Sequence, residues 1–143
     1  MSETTQIHPD KVRAYVATDY RLGHTDQDIV LTIGKHSGRL AALFADSGVN
    51  CGAFLTAYNP QGTIQSDAAN AQGHAELASK LQELGLQAIE GSGSEEGTDW
   101  AAEESYFALG LLLEPAKAMG THFDQDAIVW VGPDAEPQLI LLR

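Results

Sequence analysis

Two glutamates and a tryptophan lie close together in the later part of the sequence, where they could form a catalytic or ligand-binding site. Trp100 is followed by Glu103 and Glu104, and Ser105 then begins an apolar run. A glutamate that is buried beside a tryptophan has a raised pKa and can act as a general acid or base. Side chains alternate along a strand, so Glu103 and Ser105 should share one face and Glu104 the other. At most one glutamate therefore enters a given pocket. The alternative, which we favour for Glu104, is that it accepts structural hydrogen bonds from the backbone or from Arg21 or Arg39.

A second group of polar residues lies where a predicted strand ends. Thr56 and Asn59 close an apolar run, and Asn70 follows in the first turn of the helix predicted after Ser66. Ligand crevices in α/β sheets open at such strand ends. An Asn side chain offers two donor protons and two acceptor lone pairs, so these residues could bind a polar ligand. The alternative is that they tie the loop to itself, since Asn before Pro is a common turn residue.

A third candidate site surrounds the start of the first predicted helix. Lys35 and Arg39 flank Ser37 at a helix N-terminus, where free backbone N–H groups attract anions. These residues could bind a phosphate or a carboxylate. The alternative is a polar turn in which Ser37 only caps the helix.

The histidine and cysteine patterns do not predict a metal site. The five histidines are scattered, and Cys51 is the only cysteine, which excludes an internal disulfide and a multi-cysteine zinc site. His122 with Asp124 and Asp126 could form a metal site or a catalytic dyad, but at a helix end His122 is expected to be a solvated cap. No phosphate-binding loop, nucleophile elbow or zinc-protease motif is present. We therefore predict no metal and no cofactor.

The charge of the chain makes nucleic acid and membranes unfavourable partners. Eight Lys and Arg residues against 20 Asp and Glu give a net charge of −12 at pH 7, which would repel both a phosphate backbone and an anionic bilayer. Residues 1–10 contain no apolar stretch of the kind found in secretory signals. We expect a cytoplasmic protein whose partner is an unidentified small molecule or protein.

Hydropathy patterns and turn residues predict the elements that must position these groups. Their order is β-β-α-β-α-β-β-α-β-β, which favours an α/β (α+β) fold with one mixed sheet and about three helices packed on it. The chain has 143 residues, which is close to the length of one ordinary domain. We therefore predict a single domain over residues 1–143, with residues 1–10 as a flexible segment.

Individual elements follow from local patterns. Residues 12–22 and 28–33 are predicted to pair as a hairpin. The runs 51–58 and 105–111 are apolar on both alternating faces, which is typical of central strands that are covered on two sides. Helices are predicted to begin after Ser37, after Ser66 and at Glu114-Pro115.

The segment from Glu90 to Trp100 is predicted to be a loop rich in glycine and acidic residues. A tryptophan in such a loop needs an apolar surface to cover and a partner for its N–H group. We expect the loop to fold back so that Trp100 covers the end of the predicted strand at Asn59. One of the two glutamates that follow would then lie within reach of Asn59 or Asn70.

Six short motifs also occur in the order found in a known bacterial family. They are Tyr20-Arg21, Ile33-Gly34, Thr56-Ala57-Tyr58-Asn59-Pro60, Asn70, Trp100 with Glu103-Glu104-Ser105, and Phe123-Asp124-Gln125 before Ala127-Ile128-Val129-Trp130. The chain thereby resembles DUF3293, a domain of unknown function, over nearly its whole length. The resemblance implies no activity that can be carried over. One departure is the segment from Asn70 to His74, where a bulkier or basic residue is expected, and Gly73 within it weakens a helix by roughly 1 kcal/mol against Ala.

Two functions are compatible with these patterns. We favour a non-catalytic module that binds a ligand or a protein, because no nucleophile, metal set or cofactor loop is apparent. The alternative is a small hydrolase or transferase in which Glu103 or Glu104 acts as general acid or base while Asn59 and Asn70 position the substrate.

Overall fold

The chain forms one curled antiparallel sheet with helices on both of its faces. The computed structural model describes residues 5, 7–23, 29–60, 63–94 and 103–143. The strands are β1 (Asp19–Leu22), β2 (Ile29–Leu31), β3 (Gly52–Thr56), β4 (Ala88–Ser94), β5 (Glu103–Leu109), β6 (Ala127–Val131) and β7 (Pro137–Leu141). The helices are α1 (Pro9–Ala17), α2 (Gly38–Ser47), α3 (Asp67–Glu83) and α4 (Leu113–His122). None of these helices, within the described ranges, is long and apolar enough to cross a membrane.

The sheet order places the two most apolar strands in the interior. The seven strands follow the order β2-β1-β4-β5-β3-β6-β7, so β5 and β3 each have a neighbour on both sides. This confirms the prediction that the runs 51–58 and 105–111 are central strands. The α+β class is also confirmed, and the pairings between the described strands are antiparallel rather than mixed.

Each face of the sheet carries its own hydrophobic cluster. On one face, Phe54 and Phe107 pack with Leu40 and Phe44 of α2. On the other face, Leu55 and its neighbours pack against α3 and α4 through the side chains Leu77, Leu81, Ala116 and Phe123. Burial on both faces explains why β3 and β5 lack an alternating polar pattern.

The sheet curls because its two ends are joined by backbone hydrogen bonds. Gly34, shortly after β2, donates its N–H to the carbonyl of Pro137 at the start of β7, with an N···O distance of 2.9 Å. Ser37 donates to the carbonyl of Ala135 at the same distance. These bonds bring the edge strand β2 towards the edge strand β7 and make the face that carries α2 concave.

The first helix corrects one prediction. Residues 12–22 were expected to form a single strand, but residues 9–17 are helical and only Asp19–Leu22 pairs with β2. The local signals for the helix are His8, whose side chain accepts from the N–H of Asp10, and Pro9 in the first turn. The bulky residues in this segment favoured a strand by propensity, but the capping residues and the packing of α1 over the sheet outweigh that preference.

The strand β4 corrects a second prediction. The Gly-Ser-Gly-Ser segment was expected to be part of a loop, but it belongs to β4, which runs to Ser94 and pairs with both β1 and β5. A Cβ atom at Gly91 would clash with the backbone carbonyl of Arg21 and lie 3.1 Å from the ring of Phe54. Glycine is therefore required at position 91, because the backbone of β1 and the ring of Phe54 leave no room for a side chain. The fold-back expected of the segment up to Trp100 lies outside the described residues.

The helices α2 and α3 begin at the positions that their capping residues predicted. Ser37 accepts from the N–H of Leu40 at 3.1 Å, and Ser66 accepts from the N–H of Ala69 at the same distance. Gly73 has a packing role, since a Cβ atom there would lie 3.2 Å from both the Cβ and the carbonyl oxygen of Ala57. A larger residue at position 73 would push α3 away from the end of β3, which accounts for this departure from the expected residue type.

The helix α1 is attached to the sheet by a buried carboxylate. Asp126, just before β6, has a fully buried side chain that accepts from Lys11 Nζ at 3.1 Å, from the Tyr15 hydroxyl at 3.0 Å and from Arg143 Nε at 2.7 Å. Burial alone would raise the pKa of Asp126. The bonds from Lys11 and Tyr15 and the charges of Lys11 and Arg143 outweigh this and hold its pKa below the ordinary value.

We predict that Gly91→Ala lowers the free energy of unfolding by about 2–3 kcal/mol, because the backbone of β1 must shift to admit the methyl group. Gly93→Ala is the matched control, since a Cβ atom there meets Thr18 and Tyr20 at ordinary contact distances of 3.6 Å or more. Urea unfolding of both variants is the measurement. Equal stability of the two variants would contradict the close approach of β1 and β4.

We predict that Asp126→Asn lowers the free energy of unfolding at pH 7 by about 2–4 kcal/mol, since it breaks a buried ion pair. The pKa of Asp126 is lower in the folded state than in the unfolded chain. Its contribution to the free energy of unfolding is therefore complete when the pH is above the pKa of the unfolded chain, and it is lost as the pH falls through the pKa of the folded state. The stability difference from the wild type should therefore shrink below about pH 4. Asp124→Asn is the control, because Asp124 is exposed and has a φ of 57° that Asn tolerates. A difference that persists unchanged to pH 2 would refute the role of this carboxylate.

Candidate functional site

A cavity of about 740 Å³ lies between α1 and the concave face of the sheet. Its walls are contributed by α1, by six strands and by the segments that follow α1, β3 and α4. The lining residues are Lys11, Ala14, Tyr15, Thr18, Tyr20, Phe54, Thr56, Asn59, Gly93, Ser94, Glu103, Ser105, Gln125, Ala127, Ile128, Val129 and Leu139.

The cavity exists because small residues face α1 on the inner strands. Gly93 of β4 pairs with Tyr20 on one side and with Glu103 on the other. Ser105 of β5 pairs with Thr56 of β3 in the next part of the sheet. Apart from Tyr20, these paired residues carry no bulky apolar side chain. The space between the sheet and α1 is therefore not filled by side chains in the way that the space beneath α2 is.

The rest of the cavity floor is apolar. Phe54, Val129 and Leu139 lie in one row across β3, β6 and β7, because Phe54 pairs with Val129 and Val129 pairs with Leu139. Ala14 faces this floor from α1. The cavity is therefore apolar at one side and polar near the ends of β3 and β5.

Asn59 organises the polar side. Its φ of 43° is a left-handed conformation that Asn adopts more readily than most residues. In this conformation its side chain donates to Glu103 Oε2 at 3.0 Å and accepts from the N–H of Gln65 at 3.1 Å. The prediction that a glutamate lies within reach of Asn59 is confirmed, and the glutamate is Glu103.

Asn70 lies behind Asn59 and ties the loop to α3. Its Oδ1 accepts from the backbone N–H of Asn59 at 2.9 Å and from Gln65 Nε2 at 2.7 Å. Its Nδ2 donates to Asn59 Oδ1 at 3.1 Å. Asn70 is buried but does not line the cavity, so these contacts correspond to the structural alternative for this residue.

The two glutamates lie on opposite faces of β5, as the alternation predicted. Glu103 and Ser105 line the cavity, whereas Glu104 is exposed and is not among the residues that line it. Only its backbone carbonyl contributes, by accepting from the Thr56 hydroxyl at 2.8 Å. The contact expected for Trp100 lies outside the described residues.

Two tyrosines form the wall next to α1. The hydroxyl of Tyr20 donates to the backbone carbonyl of Tyr15 at 2.6 Å. Burial raises the pKa of both tyrosines well above the ordinary value, and the negative charge of Glu103 adds to this effect in each case. Both hydroxyl groups are protonated at neutral pH, as in any tyrosine of ordinary pKa, and they remain so in more alkaline solution.

The predicted anion site at the start of α2 is separate from this cavity. Lys35, Ser37 and Arg39 do not line it. The backbone N–H of Lys35 donates to Thr32 at 3.1 Å, and that of Ser37 donates to Ala135 at 2.9 Å. Since the Ser37 hydroxyl also caps α2, the contacts around Ser37 correspond to the capping alternative.

The acidic residues after α4 do not share one site with His122. His122 is exposed at the end of α4, and its Nε2 lies 2.9 Å from Glu76 Oε1 of α3. Asp126 points instead into the interior towards α1. The described residues contain no group of three or more His, Cys, Asp or Glu side chains arranged to hold a metal ion.

Sequence reasoning missed the residues that α1 contributes. Lys11, Ala14, Tyr15 and Thr18 lie at helical spacing on one face, but this pattern is hidden when the segment is interpreted as a strand. Pro9 was the available signal, because proline is favoured in the first turn of a helix. Gln125 was also missed as a lining residue, although it belongs to a motif that carries the family resemblance.

Comparison with known proteins supports one assignment. The family model described as "Protein of unknown function (DUF3293)" matches residues 55–128, a range that includes the polar side of the cavity. Searches of curated proteins and of solved structures gave no significant match. Because the family match covers more than half of the chain, the protein belongs to the DUF3293 family.

Proposed function

We propose that this protein is a non-catalytic module that binds a small molecule in the cavity beneath α1. The volume of about 740 Å³ lies within the range of small-molecule sites. Such sites combine mostly apolar walls with a few polar groups that fix the orientation of the ligand. The cavity has this composition, with an apolar row on β3, β6 and β7 and a polar side formed by Asn59 and Glu103.

The observation that carries this proposal is the convergence of four residues in one cavity. Thr56 and Asn59 belong to one sequence motif and Glu103 and Ser105 to another, and all four line the cavity. Asn59 donates directly to Glu103 across 44 positions of the chain. A bond with a purely structural role would hold the loop without a cavity beside it. The cavity next to this bond therefore favours a binding role.

The contacts of Ser105 favour binding over catalysis. A nucleophilic serine needs a base that accepts its proton. The Ser105 hydroxyl instead donates to the backbone carbonyl of Glu103 at 3.1 Å. A hydrolase or transferase that uses Glu103 as general acid or base is the alternative, and turnover of a bound compound by the wild type but not by Glu103→Gln would identify it.

We predict that Ala14→Phe abolishes ligand binding, because the added ring would occupy the space between α1 and the apolar floor. Ala17→Phe is the matched control, since Ala17 lies on the same helix but is exposed and does not line the cavity. The measurement is a thermal-shift screen of amino acids, nucleosides, biogenic amines and short fatty acids. A compound present at 100 times its dissociation constant should add about 2.7 kcal/mol of stability to the wild type.

The stabilisation should persist in Ala17→Phe and disappear in Ala14→Phe. A compound that stabilises both variants equally binds elsewhere. A screen in which no compound stabilises the wild type would count against the proposed function.

A further inference from the structure

Most of the described hydroxyl groups that line the cavity direct their protons at the protein. Among the residues that the structure describes, six hydroxyl side chains line the cavity, and five of them donate to a protein oxygen. Tyr15 donates to the carboxylate of Asp126. The other four donate to backbone carbonyls: Thr18 to that of Ala14, Tyr20 to that of Tyr15, Thr56 to that of Glu104 and Ser105 to that of Glu103. The sixth, Ser94, is exposed at the end of β4.

A hydroxyl group has a single proton, so a hydroxyl that donates to the protein can only accept from a ligand. Tyr15 and Tyr20 keep their protons at neutral pH, as tyrosines of ordinary pKa do, and burial raises the pKa of both further. Gln125 behaves in the same way, since its Nε2 donates to the carbonyls of Tyr58 at 3.1 Å and Phe123 at 3.4 Å. These groups present acceptor lone pairs to the cavity rather than protons.

The charged groups reinforce this asymmetry. Glu103 is a carboxylate, which accepts hydrogen bonds and cannot donate them when ionised. Lys11 is the basic residue among the described lining residues, and its ammonium group is bonded to Asp126 at 3.1 Å. An anionic ligand head placed beside Glu103 would meet a like charge, which is unfavourable in a partly desolvated site.

We propose that the cavity binds an apolar primary amine, with its ammonium group at Glu103 and its hydrocarbon body on the row formed by Phe54, Val129 and Leu139. This inference rests on the proposed function and specifies its ligand class. The ammonium group supplies three donor protons and no acceptor, which matches a surface that offers acceptors. The lone pairs of Tyr15 and Ser105 provide further acceptors in the same cavity.

The test compares two probes that share a hydrocarbon body. Isothermal titration calorimetry at pH 7 would measure 4-phenylbutylamine and 4-phenylbutyrate on the wild-type protein. The amine should bind at least about tenfold more tightly than the carboxylate, since the ammonium group forms charge-assisted hydrogen bonds with Glu103 whereas a carboxylate is repelled by it. Glu103→Gln should weaken amine binding by about tenfold or more, because it removes the charge while keeping the shape.

Glu104→Gln is the matched control, since it makes the same change at the next residue, which lies on the other face of β5. It should leave the affinity for the amine unchanged. If Glu103→Gln fails to fold, the comparison of the two probes on the wild type still decides the question.

Three outcomes would overturn the inference. Equal or tighter binding of 4-phenylbutyrate would refute the amine class while leaving the cavity as a binding site. If Glu103→Gln keeps both the affinity for the amine and the preference for the amine over the carboxylate, the assigned position of the ammonium group is refuted. If neither probe binds, but a compound from the screen binds the wild type and not Ala14→Phe, the amine class alone is refuted. If neither probe binds and no such compound is found, the proposed function fails as well.

Discussion

The carboxylate of Asp126 is buried at a point where three distant parts of the chain meet. Removing a charge from water is unfavourable by several kcal/mol unless it is paired and hydrogen-bonded. Lys11, Tyr15 and Arg143 supply those partners from α1 and from the segment after β7. Because no residue of α1 itself is buried, these polar bonds account for much of its attachment. The cavity has a wall over the sheet only while α1 is held there.

The cavity and the core beside it occupy the same face of one sheet and differ in the size of their side chains. Under α2 the strands present Phe107 and Leu109, which fill the space between sheet and helix. Along the same strand, Ser105 and Glu103 replace them beneath α1. The strands need not separate to create the cavity, so the backbone around it keeps its regular hydrogen bonds. A binding site on such a framework is held by the rigid part of the protein.

Much of the fold follows from local signals that the sequence contains. The caps at Ser37 and Ser66 and the two apolar central strands depend on neighbouring residues, and they were predicted correctly. The contact between Asn59 and a glutamate was also anticipated, although from a fold-back of the loop before Glu103. In the structure, the antiparallel pairing of β3 with β5 brings the two residues together. Burial of Asp126 could not be anticipated, since its partner Lys11 lies 115 positions away.

The two incorrect assignments have a common physical cause. In α1 and at the end of β4, intrinsic propensity points to one structure and the surroundings impose another. Glycine disfavours strands, yet at Gly91 only the absence of a side chain allows β1 and β4 to pair. Tyr15 favours strands, yet in α1 its hydroxyl reaches Asp126. Such positions can be recognised only when the tertiary contacts are known.

The polar attachment of α1 also affects how the protein responds to temperature. Heat capacity changes when apolar surface is exposed to water, and the helix itself contributes no buried residue. Release of α1 alone would therefore have a small heat-capacity change, whereas unfolding of the sheet with its two clusters would have a large one. On cooling, hydrophobic stabilisation of the sheet weakens while the ionic bonds at Asp126 are much less affected. The free energy of releasing α1 and the free energy of unfolding the sheet should therefore depend differently on temperature, so that the two behave as separate local units of one chain.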